Sequence, residues 1–280
     1  MNRTINFALK EDIGRGDITT NTLIPRKAVS QAYVITNEKA VVCGLDVVQK
    51  LFRKLDRKAT FRCFFKEGEI APKNSKLIYI KAKTRAVLTG ERVALNFLSH
   101  LMAVATKTRL FVQQVKPYQA KIYDTRKTTP GLRVLEKKAV RAGGGINHRL
   151  NLNEMILIKD NHRAKVQCST SSSLQDMVRY AKKVSRKPIE IELDNLMHFQ
   201  EVLASQPDII LLDNMSIAQI KKAVALKKKY VKNKRIKLEV SGNVNLKNVR
   251  AIARTGVDRI SSGALTHTKK AIDISLELIS

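Results

Sequence analysis

From Tyr118 onward the chain repeats one pattern: a short apolar run that ends in charged or hydroxylated residues, then a segment with helical spacing. The runs are KIYDTRK at 121–127, MILIKDNH at 155–162, IEIELDN at 189–195, DIILLDN at 208–214, IKLEVSGN at 236–243 and DRISSGAL at 258–265. Strands that alternate with helices pair in parallel, because each crossover returns the chain to the same end of the sheet. Six such units predict an α/β fold, a (β/α) barrel or a doubly wound sheet, and the barrel is the favoured reading. Barrels gather their functional groups at the carboxyl ends of the strands. Here those ends carry Asp124, Arg126, Lys127, Lys159, Glu192, Asp213, Ser241 and Ser262.

The first hundred residues follow another pattern. Strand-like runs at 32–37 (AYVITN), 60–65 (TFRCFF) and 76–83 (KLIYIKAK) are separated by turn formers at Lys66-Glu67-Gly68 and Ala71-Pro72-Lys73-Asn74. They predict an α+β unit with a partly antiparallel sheet. From Thr89, Val93, Phe97, Leu101 and Val104, with Ala94, Leu98, Met102 and Ala105, make a broad apolar helix face that joins the two parts.

Composition narrows the function. With 280 residues, 44% of them apolar, the chain can bury a sizeable core. No apolar stretch approaches the roughly 20 residues of a membrane span. Lys10, Glu11 and Asp12 interrupt any signal-like run, so a soluble, unexported, cytoplasmic protein is expected. Cys43, Cys63 and Cys168 show no CxxC spacing, which supports neither a disulfide framework nor a zinc ribbon.

The 53 Lys and Arg outnumber the 24 Asp and Glu, for a formal net charge of +29. Such a chain can bind nucleic acid, an anionic membrane or small polyanions. The densest basic run, Lys221 to Lys237, reads as one amphipathic helix with a solvated outer face. Aromatics are 5% of the chain, Trp is absent, and no helix-turn-helix, zinc-finger or RNP signature occurs, so nucleic-acid binding rests on charge alone.

Five cations lie at or near the strand ends: Arg126 and Lys127 in TRKTTPG, His148 and Arg149 in GGGINHR, and Lys159 in IKDNH. Guanidinium forks match carboxylate and phosphate oxygens, so cations that converge on one cavity suit a polyanionic substrate. Glu192 and Asp213 end successive strands, which suits Mg²⁺ bridged to a phosphorylated substrate, a general acid/base pair, or caps of the next helices. Ser241-Gly242-Asn243 and Ser262-Gly263-Ala264 end the last two strands, where small residues let backbone N–H groups approach a phosphate. Gly143-Gly144-Gly145 marks a turn that needs unusual angles or close approach.

Together EDIGRGDITT at 11–20, LTGERVALNFLSHL at 88–101, DTRKTTPGLRVLEKKAVRAGGGINHR at 124–149, LIKDNH at 157–162, LLDNMS at 211–216 and SSGALTH at 261–267 closely resemble the quinolinate phosphoribosyltransferase family, in order and over nearly the whole chain. The resemblance implies the type II phosphoribosyltransferase fold: an N-terminal α/β sandwich over residues 1–102, completed by 271–280, and a C-terminal open (β/α) barrel of parallel strands over 103–270. It implies transfer of phosphoribosyl from phosphoribosyl pyrophosphate to quinolinate, with decarboxylation to nicotinate mononucleotide. Lys127, Lys159, Glu192 and Asp213 fall on catalytic positions. Arg92, Thr125, Arg126, His148 and Arg149 fall on substrate-binding ones. Glu192 and Asp213 match carboxylates that hold ribose hydroxyls and Mg²⁺, partly through the substrate. Ser241, Gly242 and Asn243, with Ser262, Gly263 and Ala264, match the 5-phosphate cradle. Arg92 would enter a neighbouring subunit's site and make the enzyme a homodimer. Where the family usually has a second glycine this chain has Asn243, a residue that tolerates left-handed angles better than most. The competing expectations are a paralogous phosphoribosyltransferase with another acceptor, and a basic nucleic-acid-binding protein.

Overall fold

A computed structural model describes residues 2–170, 173–230, 236–267 and 270–279. The chain packs as two compact units, Met1–Arg109 with Thr128–Gly144 and Leu265–Ser280, and Leu110–Lys127 with Gly145–Ala264. Among the described residues no helix is long and apolar enough to cross a membrane.

The first unit opens with α1 (Asn2–Ile13), α2 (Ile18–Leu23), β1 (Val29–Thr36), β2 (Ala40–Val41), α3 (Leu45–Leu55), β3 (Thr60–Cys63), β4 (Ile70–Ala71), β5 (Ser75–Lys83) and α4 (Thr84–Val115). Its antiparallel sheet also takes in the C-terminal strand, which lies beside β1. Alternation drives the pairing: Ala32, Val34 and Thr36 of β1 are buried, as are Ile78, Ile80 and Ala82 of β5. At Val34/Ile35 the register shifts, so Leu77 is the extra residue of a bulge and is buried beside Ile78. On α3 the same logic runs at helical spacing, with Val47, Val48, Leu51 and Phe52 buried, each contributing about 1.5–3 kcal/mol. Asp46 in the first turn and Arg53 and Lys54 in the last complement the helix dipole.

The sequence places the start of α4 at Thr89, but the helix begins at Thr84, directly after β5, with Ala86 and Val87 already buried. It runs unbroken past residue 102, so the break between sequence segments falls inside one helix.

Next come β6 (Lys121–Tyr123), α5 (Arg133–Ala142, in the first unit), β7 (Ile156–Ile158), α6 (Asp160–Thr170), α7 (Leu174–Val184), β8 (Ile189–Leu193), α8 (Phe199–Ser205), β9 (Ile209–Asp213), α9 (Ile217–Tyr230), β10 (Lys237–Ser241), α10 (Val249–Ala253), β11 (Arg259–Ser261), α11 (Ala264–His267) and β12 (Ile274–Ile279). Each of the six strand runs read from the sequence is a strand. They form one parallel sheet in the order β6-β11-β10-β9-β8-β7, with Ile146 bridging Tyr123 beyond β6. β8 is buried at every residue, with Ile189, Ile191 and Leu193 on one face and Glu190 and Glu192 on the other.

Gly144 takes φ +90°, and a Cβ on Gly143 would lie 2.5 Å from the Ala105 carbonyl oxygen, so this glycine run serves close packing within the first unit. The basic run from Lys221 is helical as far as Tyr230. Residues 231–235 lie outside the described residues, and Lys237 opens β10, so the run is not one helix. Cys43 is buried and Cys63 exposed, both as free thiols.

Candidate active site

Parallel pairing brings the carboxyl ends of the second unit's strands round one cavity of about 530 Å³. Thr125, Arg126 and Lys127 follow β6, and His148 and Arg149 follow the bridge at Ile146. Lys159 follows β7, Glu192 lies near the end of β8, and Asp213 ends β9. Ser241, Gly242 and Asn243 lead out of β10. All eleven line the cavity, although the first and the last are 118 positions apart in the sequence.

The other four expected residues lie elsewhere. Arg92 is exposed on α4 of the first unit. β11 ends at Ser261, so Ser262 lies outside the strand's alternation and its own contacts decide whether it faces the cavity. Ser261 lines it, whereas Ser262 is buried and donates its hydroxyl to the Val244 carbonyl at 2.8 Å. Gly263 and Ala264 follow at the start of α11.

Lys159 Nζ is 2.7 Å from Glu192 Oε2, across neighbouring strands. Arg149 donates from its guanidinium to the Met155 carbonyl at 3.0 Å. Burial, with the Arg126 charge beside it, pulls the Arg149 pKa down from its usual value. Like charges held together in this way are relieved by an anion.

His148 is fixed on three sides. Its backbone N–H donates to Asp124 Oδ1 at 2.7 Å, and its Nε2 lies 3.0 Å from Glu190 Oε2 and 3.4 Å from Glu239 Oε1. Burial opposes a charged ring, but the hydrogen bonds and charges of both carboxylates outweigh it and lift the pKa to about 9. One contact pulls the other way: the Arg149 backbone N–H donates to His148 Nδ1 at 2.9 Å, which a doubly protonated ring cannot accept. Two buried carboxylates outweigh one backbone N–H, so the imidazolium prevails and that contact loses its hydrogen bond.

Both carboxylates are themselves fully buried. Burial and the neighbouring Glu239 charge push the Glu190 pKa up. Burial also opposes Glu239, yet His148 and Arg259 hold its pKa down, with Arg259 Nε 2.7 Å from Glu239 Oε2 and its guanidinium 3.9 Å over the Tyr123 ring. The sequence reading missed Glu190, Glu239 and Arg259. The signal for the two acids was present: they precede Glu192 and Ser241 by two residues, and so share their face of the strand.

The ligand atoms of His148, Glu190 and Glu239 lie within 4.8 Å of one another. With His148 and Arg259 opposite the two acids, the cluster balances its own charge without an ion. Glu192 and Asp213 are different. They offer hard oxygen donors on the wall of a cavity that five cationic side chains also line, which suits Mg²⁺ shared with substrate phosphates.

The turn after β10 depends on left-handed backbone. Gly242 has φ +86°, and a Cβ there would lie 2.8 Å from the Asn214 backbone nitrogen. Asn243 follows with φ +50° and donates its side-chain amide to Asn214 Oδ1 at 3.0 Å, while Asn214 itself has φ +53°. Asn243 thus takes the left-handed angle without being glycine, and adds a tether to Asn214.

A parallel α/β sheet whose strand ends gather five cationic side chains and a carboxylate pair in one cavity defines an α/β enzyme built for anionic substrates. Family models confirm and sharpen this: residues 17–102 match the quinolinate phosphoribosyl transferase N-terminal domain, and residues 104–277 its C-terminal domain. The chain is 38% identical over 279 residues to the carboxylating nicotinate-nucleotide pyrophosphorylase of Mycobacterium leprae, covering 98% of this chain and 96% of that one. It is 40% identical over 273 residues to a probable enzyme of the same name from Synechocystis, covering 97% and 90%. The solved nicotinate-nucleotide pyrophosphorylase of Ehrlichia chaffeensis is 42% identical with a TM-score of 0.91, covering 100% of this chain and 98% of that one. The chain belongs to the quinolinate phosphoribosyltransferase family.

Proposed function

We propose that this enzyme transfers the phosphoribosyl group of phosphoribosyl pyrophosphate to the ring nitrogen of quinolinate, with loss of one carboxylate as CO₂. The products are nicotinate mononucleotide and pyrophosphate, a step of de novo NAD biosynthesis. The observation that carries the reading is the convergence of Arg126, Lys127, His148, Arg149 and Lys159 on one cavity that also holds Glu192 and Asp213.

In this reading Arg126, Arg149 and Lys159 bind the quinolinate carboxylates, with His148 and Thr125 completing the acceptor site. Departure of pyrophosphate leaves an oxocarbenium-like ribose, so the protein's work is to position two anions and stabilise the leaving charge. Lys127 faces the pyrophosphate. Glu192 and Asp213 hold the ribose hydroxyls and would hold Mg²⁺, which when bound supplies further charge neutralisation on the pyrophosphate oxygens. The turn at Ser241, Gly242 and Asn243, with the backbone of Ser262, Gly263 and Ala264, cradles the 5-phosphate. Once glycosylated, the pyridinium nitrogen accepts the electron pair released as the carboxylate leaves. No protein nucleophile is required.

The working form is a homodimer in the cytoplasm, in which Arg92 completes the neighbouring subunit's acceptor site. The deciding experiment incubates purified protein with Mg²⁺, phosphoribosyl pyrophosphate and quinolinate. Nicotinate mononucleotide and CO₂ are expected in equal amounts, and their absence from well-folded protein would sink the reading.

A further inference from the structure

A second pocket, of about 620 Å³, lies in the second unit and shares no lining residue with the cavity at the strand ends. Four cations wall it: Lys221 of α9, and Lys247, Arg250 and Arg254. The last three are spaced three and four apart, which sets them on one face of the turn that leads into and along α10. No carboxylate lines the pocket, and among the described residues none of the four side chains has a carboxylate partner. Nearby acid is committed elsewhere. Asp258 takes Lys227, on the same helix as Lys221, at 2.8 Å and Lys237 at 3.2 Å.

Four like charges round one hollow repel one another, and an anion reverses the sign of that interaction. The rest of the wall is of another kind: Tyr118, Ile217 and Ala251 present an aromatic ring and aliphatic carbon. A single ligand that uses both needs a run of negative charge joined to a flat, weakly polar ring. We propose that this pocket binds a nucleoside triphosphate, with its phosphates on Lys221, Lys247, Arg250 and Arg254 and its base against Tyr118 and Ile217. This assigns to a defined site part of the basic surplus that the active cavity leaves over, including the first lysine of the Lys221 run.

The test is calorimetric titration of the full-length protein with ATP, tripolyphosphate and adenosine. One ATP per chain is expected, bound more tightly than tripolyphosphate, with adenosine alone too weak to detect. Arg250→Ala/Arg254→Ala should weaken ATP binding about tenfold or more, since two charge-assisted contacts are lost, while turnover of quinolinate stays at the wild-type rate. Lys221→Ala/Lys247→Ala gives an independent check should that variant fold poorly. The cavity variant Lys127→Ala/Lys159→Ala should bind ATP as wild type does. So should Lys222→Ala/Lys228→Ala, which removes equal charge from exposed positions outside the pocket. The proposal is overturned if both pocket variants bind ATP normally, if the cavity variant loses it, if the exposed pair weakens it equally, or if tripolyphosphate matches ATP.

Discussion

Lys159 follows β7 and Glu192 lies on the neighbouring β8, with Nζ and Oε2 2.7 Å apart on the wall of the active cavity. Lys159 is nearly half exposed, so the pair contributes little to folding and is placed for substrate. Lys159→Ala should lower kcat/KM for quinolinate by about 10²–10³-fold, the usual cost of removing one preorganised electrostatic group, with the thermal transition almost unmoved. A large fall in melting temperature would show that the pair is structural instead.

Arg149 is crowded by Arg126 and gains from a doubly charged acceptor. Arg149→Ala should raise the quinolinate Kd about ten- to a hundredfold, the worth of a charge-assisted hydrogen bond, and Arg149→Lys should recover only part of it because the planar fork is lost. The same logic makes nicotinate a poor substrate, since one carboxylate fewer leaves a cation unmatched in a desolvated site. Equal turnover of the two acids would point to a paralogue with another acceptor.

The charge on His148 carries a pH signature. Its folded pKa of about 9 stands above the ordinary value near 6.5, so its contribution to stability is fully present below about pH 6.5 and is lost as pH rises through about 9. NMR titration of the His148 ring should give a midpoint near 9. A midpoint below 7 would mean that the Arg149 N–H contact to Nδ1 governs instead. His148→Asn leaves Glu190 and Glu239 with one buried cation fewer and should cost about 3–5 kcal/mol in denaturant unfolding at neutral pH. Adding Glu190→Gln should recover part of that loss.

Gly242 is irreplaceable for two separate reasons, its φ of +86° and the Asn214 backbone nitrogen 2.8 Å from any Cβ. Gly242→Ala should cost about 1–2 kcal/mol and raise the KM for phosphoribosyl pyrophosphate, because the turn that carries Asn243 must shift. Asn243→Gly keeps the left-handed angle, loses one hydrogen bond, and should cost about 1 kcal/mol or less. Steady-state kinetics with each substrate varied will separate the two.

Arg92 offers a test of subunit sharing. Arg92→Ala and Lys159→Ala should each be nearly inactive as purified. Mixed and reassembled, they should regain activity, because one hybrid site then carries both wild-type residues. No recovery from confirmed hybrids would place Arg92 outside the partner's site.

The sequence made the cavity legible wherever a residue ends an apolar run, because strand period and polar termination are local. Glu192, Asp213 and Ser241 were found in this way, as were the basic groups beside them. The departures lie at the ends of elements. Ser262 reads as the end of the last strand, but β11 closes at Ser261, which lines the cavity, while the Ser262 hydroxyl turns to the Val244 carbonyl. The start of α4 at Thr84 is not marked locally because the helix continues straight from β5 with no turn residues between them.

By itself, then, the sequence determined the parallel strand–helix order, the family, and the set of cations at the strand ends, since each is written in spacing and residue type. The tertiary structure alone decided which charges become partners. Glu190, His148, Glu239 and Arg259 are scattered over 112 positions, and each would be costly to bury alone. Folding places them within hydrogen-bonding reach, where mutual compensation makes their burial tolerable and fixes the protonation of His148. Such a state depends on distances between groups, which no local pattern encodes.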